Sequence, residues 1–461
     1  METPRIGITV LADYLLNEGV EPLLDNLIER CGCTAVATNP TVTAPAKEGQ
    51  GSFQPPDDAG TSVRLFDRPL WGKRSLWIRG AASYHPNPAL YLASPYQPRQ
   101  TNELTDQHGA IVAEFVQAAK ARGLAVYFQV GATQPPSCRD EDRPRLPNGR
   151  LADHPMAGIG SLASEAIRDY NRAYAADLIE HYPDIDGVRI DWPEYPCYKL
   201  DECFHDFAPA VERFATHRGI DFAALREGIG QAYQRLHGGM TNADLERAVA
   251  YEGQPQHLLL PGVDADLAHA WLRLKAELSA DLIADWADAL GPDHAVSANA
   301  FPPGYATLTG LDCGRALQHA DSVSPKLYTM HWSQMVEFWG RRLLDANPEL
   351  DEALLVPALC AAMDIGHEGW SLADYGYPEP DKRHPIPDEP QVRKLSQAVA
   401  QAGGRGPVHA LIHGYGPVDD FRRRLELVPG RGVDGFWVNR YGYLANEKLD
   451  VIGDVARGWR G

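Results

Sequence analysis

The chain has 461 residues, 44% hydrophobic and 23% charged, a composition close to that of average soluble domains and unlike disordered, collagen-like or membrane-spanning chains. Acidic residues outnumber Lys plus Arg by 62 to 43, for a formal charge of −19. A nucleic-acid binder replaces phosphate counterions with positive charge, so this balance argues against nucleic acid, and equally against an anionic membrane surface.

The opening METPRIGITVLADYLL has no basic stretch leading into an apolar run and cleavage site. No apolar run reaches 18 residues, so neither a secretory signal nor a spanning helix is expected. The seven cysteines are odd in number and scattered. Cys31 and Cys33 stand too close for an ordinary disulfide and lack partners at zinc spacing. Reduced thiols in a cytoplasmic protein are the expectation, and a homo-oligomer is left open.

Short apolar runs rich in Val, Ile and Leu predict strands at residues 5–10, 34–39, 124–130, 187–191, 295–300, 322–328, 354–360, 408–414 and 435–440. Many are apolar on both parities, as parallel strands covered on both faces are. Amphipathic helices fall between them. The run 109–122 carries Ile111, Phe115, Ala118 and Ala119 at helical spacing and stops at Gly123. Runs 165–181 and 268–290 have the same character, the second ending at Gly291-Pro292. This alternation predicts an α/β chain folded as a (β/α)8 TIM barrel. Nine strands exceed eight by one, so either the 408–414 run or the 322 run lies outside the closed sheet, or the barrel is decorated. An open doubly wound sheet would also hold nine, but neither GxGxxG nor GxxxxGK[ST] follows the first strand.

Long irregular stretches at 40–104, 133–163, 192–265 and 365–388 are each expected to follow a strand's C-terminal end. Setting them aside leaves a length near the ~250 residues of a plain barrel. One catalytic domain over 1–461 is therefore expected, its insertions crowding the face where barrels keep active sites. The first two stretches, rich in Pro, Gly and Tyr (including Tyr84, Tyr91 and Tyr96), read as ordered loops or lids. The third holds helical pieces at 207–216 and 222–236 and reads as a small helical subdomain.

The densest chemistry lies in DGVRIDWPEYPCY, residues 186–198. Arg189 and Asp191 share strand parity, so their side chains point the same way. Turned inward, they set a guanidinium beside a carboxylate at the barrel mouth, which keeps Asp191 ionised as a nucleophile or ion-stabilising group requires. Glu194 lies just past the strand, where Trp192, Tyr195 and Tyr198 could raise its pKa for acid work. Two carboxylates in different settings are the minimum for glycoside hydrolysis. The bland alternative is a structural Arg–Asp pair with a surface glutamate.

Gly187-Val-Arg189-Ile-Asp191 resembles the G-x-R-x-D strand of the alpha-amylase-like glycoside hydrolases. In that family Arg and Asp close the fourth barrel strand and the Asp is the nucleophile, so the resemblance implies that role for Asp191. The pattern departs elsewhere. No glutamate ends the fifth strand, which reads VSANAFPP and offers Asn299, and no Asp-x-x-x-Asn-His lies near the third. The layout also resembles glycoside-hydrolase-like barrels whose last strand ends in an aromatic and asparagine run, here FWVNRYGYL.

The partner acid is open among Glu194, Asp364 in ALCAAMDIGHEGW, and Glu368 four residues on. Asp364 could equally be a helix N-cap or turn residue. Strand ends also carry Asn39, Gln129, Asn299, Lys326, Tyr328, His413, Asn439 and Arg440, directional partners of the kind hydroxyl-rich ligands need. Trp192, Tyr195, Trp332, Trp437 and Tyr441 are candidate sugar platforms, although Trp332 and Trp339, seven apart, could instead be one buried helix face.

Four other readings compete with this one. Lys326 suggests a Schiff-base lyase, but beside an acidic mouth its pKa would rise. A metallohydrolase needs converging ligands, and His409 and His413 on one strand would stand ~13 Å apart; no HExxH appears and no metal or cofactor is expected. No GxSxG elbow supports Ser-His-Asp chemistry. A non-catalytic carbohydrate-binding barrel would keep the aromatics and amides but need no second acid. The expected partner is a small carbohydrate substrate.

Overall fold

The computed structural model of the chain describes residues 3–55 and 64–460. Eight runs with branched, apolar residues on one parity pair edge to edge: β1 (Arg5–Thr9), β2 (Ala35–Thr38), β6 (Ala125–Gly131), β7 (Gly187–Asp191), β8 (Ala295–Ala300), β9 (Ser322–Leu327), β10 (His409–His413) and β11 (Gly435–Asn439). They close in that order into one all-parallel barrel, β11 returning to β1. Helices, among them Ala110–Ala121, Glu165–His181 and Ala265–Leu290, fill the connections. The chain is a (β/α)8 barrel.

One parity faces the helices. Ile6, Ile8, Val36, Val126, Phe128, Val188, Ile190, Val296 and Ala298 are fully buried there. The other parity fills the barrel with larger and more polar groups. Tyr127 and Trp437 meet edge to face at 5.7 Å between centroids, and Arg189 lies over the Trp437 ring at 3.7 Å. Gly7 makes room for that indole: a Cβ there would stand 2.3 Å from Trp437 Cε3. Gly187 opens β7 at φ +155°, where a Cβ would meet the Ala295 carbonyl oxygen at 2.0 Å. The first residue of the G-x-R-x-D run is thus a glycine because the neighbouring strand passes too close for any side chain.

The surplus ninth run is neither of the two expected outside. Both 408–414 and 322–328 supply barrel strands, while 354–360 lies within the helix Glu352–Met363. That helix is apolar around nearly its whole circumference, with Leu355, Val356, Ala358, Leu359, Cys360, Ala362 and Met363 all buried, so no 3.6-residue period shows in its sequence. The segment 365–388 therefore follows a helix and not a strand. It still reaches the mouth of the barrel, where Thr329 Oγ1 and His384 Nδ1 are 2.7 Å apart and Tyr415 Oη donates to the Pro378 carbonyl at 2.8 Å.

The first insertion contains a three-stranded antiparallel sheet of β3 (Thr41–Pro45), β4 (Ser52–Gln54) and β5 (Leu76–Ala82), ordered β3-β5-β4. The stretch 192–265 carries helices Pro209–His217, Phe222–Leu236 and Asn242–Ala250. All seven cysteines are free. Among the described residues, no helix is long and apolar enough to cross a membrane.

Candidate active site

Asp191 is the last residue of β7, on the parity that faces the barrel interior. Its Oδ2 accepts a hydrogen bond from Gln129 Nε2 at 2.6 Å and its Oδ1 pairs with Lys326 Nζ at 3.1 Å. Gln129 is oriented by its other end, where Oε1 accepts from Thr9 Oγ1 at 3.0 Å. That bond fixes which amide atom faces the carboxylate. Asn39 Nδ2 donates to the Gln129 carbonyl at 2.6 Å. Residues from β1, β6, β7 and β9, with one just past β2, thus converge on a single carboxylate whose side chain stays 18% exposed.

Arg189 sits one layer deeper. Its Nη atoms donate to Ser297 Oγ at 3.3 Å and Ser324 Oγ at 3.4 Å, and its plane rests on Trp437. It makes no direct ion pair with Asp191 among the described residues; it acts on Asp191 through its field. Burial pushes the Arg189 pKa down to about 9, against the opposing pull of Asp191.

Two cavities of about 270 Å³ each meet at Gln129, Asp191, Trp192, Asn439 and Arg440. The first runs toward Asn39, Arg99, Tyr170 and Tyr174. The second runs toward Arg64, Tyr198, Lys326, Tyr328, His331 and His413. Trp192 holds the divide at φ +52°, a left-handed conformation that costs a bulky residue of order 1–3 kcal/mol and occurs mainly at functional sites. Lys326 Nζ lies over its ring at 4.7 Å. In the second cavity Asn439 Nδ2 donates to Tyr328 Oη at 2.8 Å, leaving the phenol proton free to donate. His413 Nδ1 accepts from the Tyr415 amide at 3.1 Å, which places the neutral ring's proton on Nε2. Burial holds the pKa of His413 well below its usual value.

The other candidates are placed differently. Glu194 is fully buried and lines neither cavity; its Oε1 accepts from the Phe301 amide at 2.9 Å while Oε2 has no partner. Burial pushes its pKa up to about 7, opposed chiefly by Lys326. Asp364 caps the C-terminus of the helix Glu352–Met363 at φ +55° and is bound by Arg393 Nη2 at 2.6 Å, with Lys394 Nζ at 3.8 Å. Glu368 pairs with Arg383 at 3.4 Å.

Five further candidates lie off the cavity walls. Asn299 is register-paired with Asp191 but fully buried, its amide without a protein partner. Tyr195 donates to Asp206 at 3.0 Å, and Tyr441 donates to Glu18 at 2.9 Å. Trp332 packs against Tyr305, and Trp437 lies inside the barrel.

Residues that sequence reasoning passed over also line the cleft, notably Thr9, Arg64 and Arg99, as does Tyr198, expected only as cover for Glu194. Thr9 ends β1 and obeys the same strand-end rule that found Asn39 and Gln129. Arg64 and Arg99 lie in the irregular first insertion, where no periodicity assigns a direction. Among the described residues, no three or more His, Cys, Asp or Glu side chains are grouped so as to hold a metal ion.

No family model and no curated protein matches the chain. Solved structures with a similar fold include the beta-galactosidase from the psychrophilic Marinomonas ef1, with 12% identity over 95% of this chain and a TM-score of 0.48. This chain spans 54% of that one. The catalytic domain of beta-amylase from Paenibacillus polymyxa is 11% identical, covering 96% of this chain and 94% of that one at a TM-score of 0.45. A class V chitinase from Pseudomonas fluorescens Pf-5 is 12% identical over 97% and 98% of the two chains, at a TM-score of 0.39.

Proposed function

We propose that the cleft at the barrel mouth is the active site of a glycoside hydrolase acting on a small glycoside. The observation that carries this reading is the placement of Asp191, a partly exposed carboxylate at the junction of two cavities, gripped by Gln129 and Lys326. Asp191 serves as the nucleophile or as the charge that steadies the developing oxocarbenium ion. Asn39, Gln129 and Asn439 bind hydroxyls, and Trp192 with Tyr198 and Tyr328 wall the sugar. Glu194 supplies the proton, because a carboxyl with a pKa near 7 still carries one at neutral pH. It reaches a glycosidic oxygen only when the segment from Trp192 to Glu194 shifts toward the cleft.

A panel of aryl glycosides tests this. Asp191→Asn is expected to lower kcat by at least about 1,000-fold, of the order seen when a reacting group is removed, while binding persists. Glu194→Gln should cost far more with poor leaving groups than with dinitrophenolate, which needs no proton. Equal losses across leaving groups would remove Glu194 from the acid role.

One observation favours a second reading, a carbohydrate-binding barrel without catalysis. Among the described residues lining both cavities, Asp191 is the only carboxylate. Tight binding of a sugar with no turnover of any panel member would establish that reading instead.

A further inference from the structure

We infer that the sugar this cleft takes carries a carboxylate, as a uronic acid does, and that Arg440 is the residue that recognises it. The inference rests on the carbohydrate reading above and adds the substrate's charge. The whole chain carries −19, yet the two cavities reverse that sign. Arg64, Arg99, Lys326 and Arg440 line them against the single carboxylate of Asp191, and Lys326 already occupies Asp191. A cleft lined by one sign of charge within low-dielectric walls concentrates ligands of the other sign.

Arg440 singles out the position. It lies directly after β11 and belongs to the walls of both cavities. Its guanidinium forms no ion pair or hydrogen bond among the described residues, and its Nε is buried without a partner. Burial raises the pKa of Asp13, and the field of Arg440 opposes that rise only as a minor effect; the Asp13 carboxylate accepts from Thr43 Oγ1. The flanking groups cannot neutralise it either. His413 and His331 are held neutral by burial, and Asn439 is engaged with Tyr328.

A half-buried guanidinium without an anion loses hydration and gains nothing in return. Its planar fork fits a carboxylate through two parallel N–H···O bonds. A neutral sugar would leave this charge uncompensated, whereas a ring carboxylate would satisfy it while the hydroxyls meet Asn39, Gln129 and Asn439.

The experiment pairs each acidic sugar with its neutral twin. Calorimetric titration of the Asp191→Asn protein compares glucuronate with glucose and galacturonate with galactose, as methyl glycosides, with glucose 6-sulfate as a third arm. At least one uronate is expected to bind about tenfold to hundredfold tighter than its neutral twin, the range for a charge-assisted pair. Arg440→Ala should collapse that ratio toward one, and Arg440→Lys should restore only part of it. Equal affinity for acidic and neutral twins, a ratio indifferent to Arg440→Ala, or tighter binding of the sulfate than of any uronate would each overturn the carboxylate assignment.

Turnover of the matching aryl glycosides by the unaltered protein separates this inference from hydrolysis itself. Uronate binding without turnover retains the charge assignment and discards the hydrolase, whereas turnover of neutral glycosides alone does the reverse.

Discussion

Glu194 shows how one side chain's surroundings set its chemistry. Its carboxyl is sealed at the end of a strand, one oxygen on the Phe301 amide and the other unpaired, and burial carries its pKa from 4.5 to about 7. The folded state therefore holds a proton that the unfolded chain releases. Stability from this group is full below pH 4.5 and declines as pH rises toward 7, after which the whole penalty is present. Glu194→Gln removes that dependence. Relative to the parent, the variant should be more stable at pH 8 than at pH 4.5 by roughly 3 kcal/mol, read from urea unfolding at both pH values. A difference that does not change with pH would mean the carboxyl is ionised and solvated. Proximity in sequence to Asp191 made Glu194 visible, but three residues of spacing say nothing about whether a side chain opens to a cleft or closes beneath it.

The barrel strands and the helices around them impose their own constraints. β1 can pass Trp437 only without a side chain at position 7. Gly7→Ala is therefore expected to destabilise by about 1–3 kcal/mol, the usual range for overpacking. Combining it with Trp437→Phe should cost less than the two single changes added together, because the smaller ring vacates the space; chemical denaturation of the four proteins measures this.

At the helix Glu352–Met363, Asp364 holds Arg393 and lies near the fully buried Lys394, whose pKa burial lowers to about 8. Asp364→Ala leaves a buried ammonium with the Pro303 and Met363 carbonyls and the Tyr305 ring but no carboxylate beside it. Breaking such a pair costs about 3–5 kcal/mol, and a midpoint within experimental error of the parent would show the ion pair to be inert. The same helix contains the run 354–360, whose sequence predicts a strand. An apolar run with no polar face has no period to read, although Pro357 inside it already spoke against a central strand.

Across the whole molecule, protonation balances point to sensitivity toward mild acid. His205, His331, His384, His409 and His413 are all buried with pKa values pushed below 6.5. A histidine neutral in the fold but protonated when unfolded withdraws stability as pH falls through 6.5. Asp13, Glu194, Glu202 and Asp206, whose pKa values burial raises, work in the opposite sense, but they are four against five. The thermal midpoint should therefore fall between pH 6.5 and pH 5, as scanning calorimetry would show; a midpoint constant or rising over that interval would contradict the neutral-histidine assignment.

The sequence by itself placed all eight barrel strands to within a residue or two at each end, alongside a ninth run that is helical, because branched apolar runs bounded by turns carry their direction and parity locally. It also determined that Arg189 and Asp191 share a face, and that the chain as a whole is acidic. Only the tertiary structure decided which strand-end residues share a cleft. Thr9 and Asn439 lie at opposite ends of the chain, and register pairing of the first strand with the last brings them level. Sheet closure is a long-range event with no local signature, so the gathering of Gln129, Lys326 and Arg440 around Asp191, and the sealing of Glu194 away from it, emerge only once the barrel is shut.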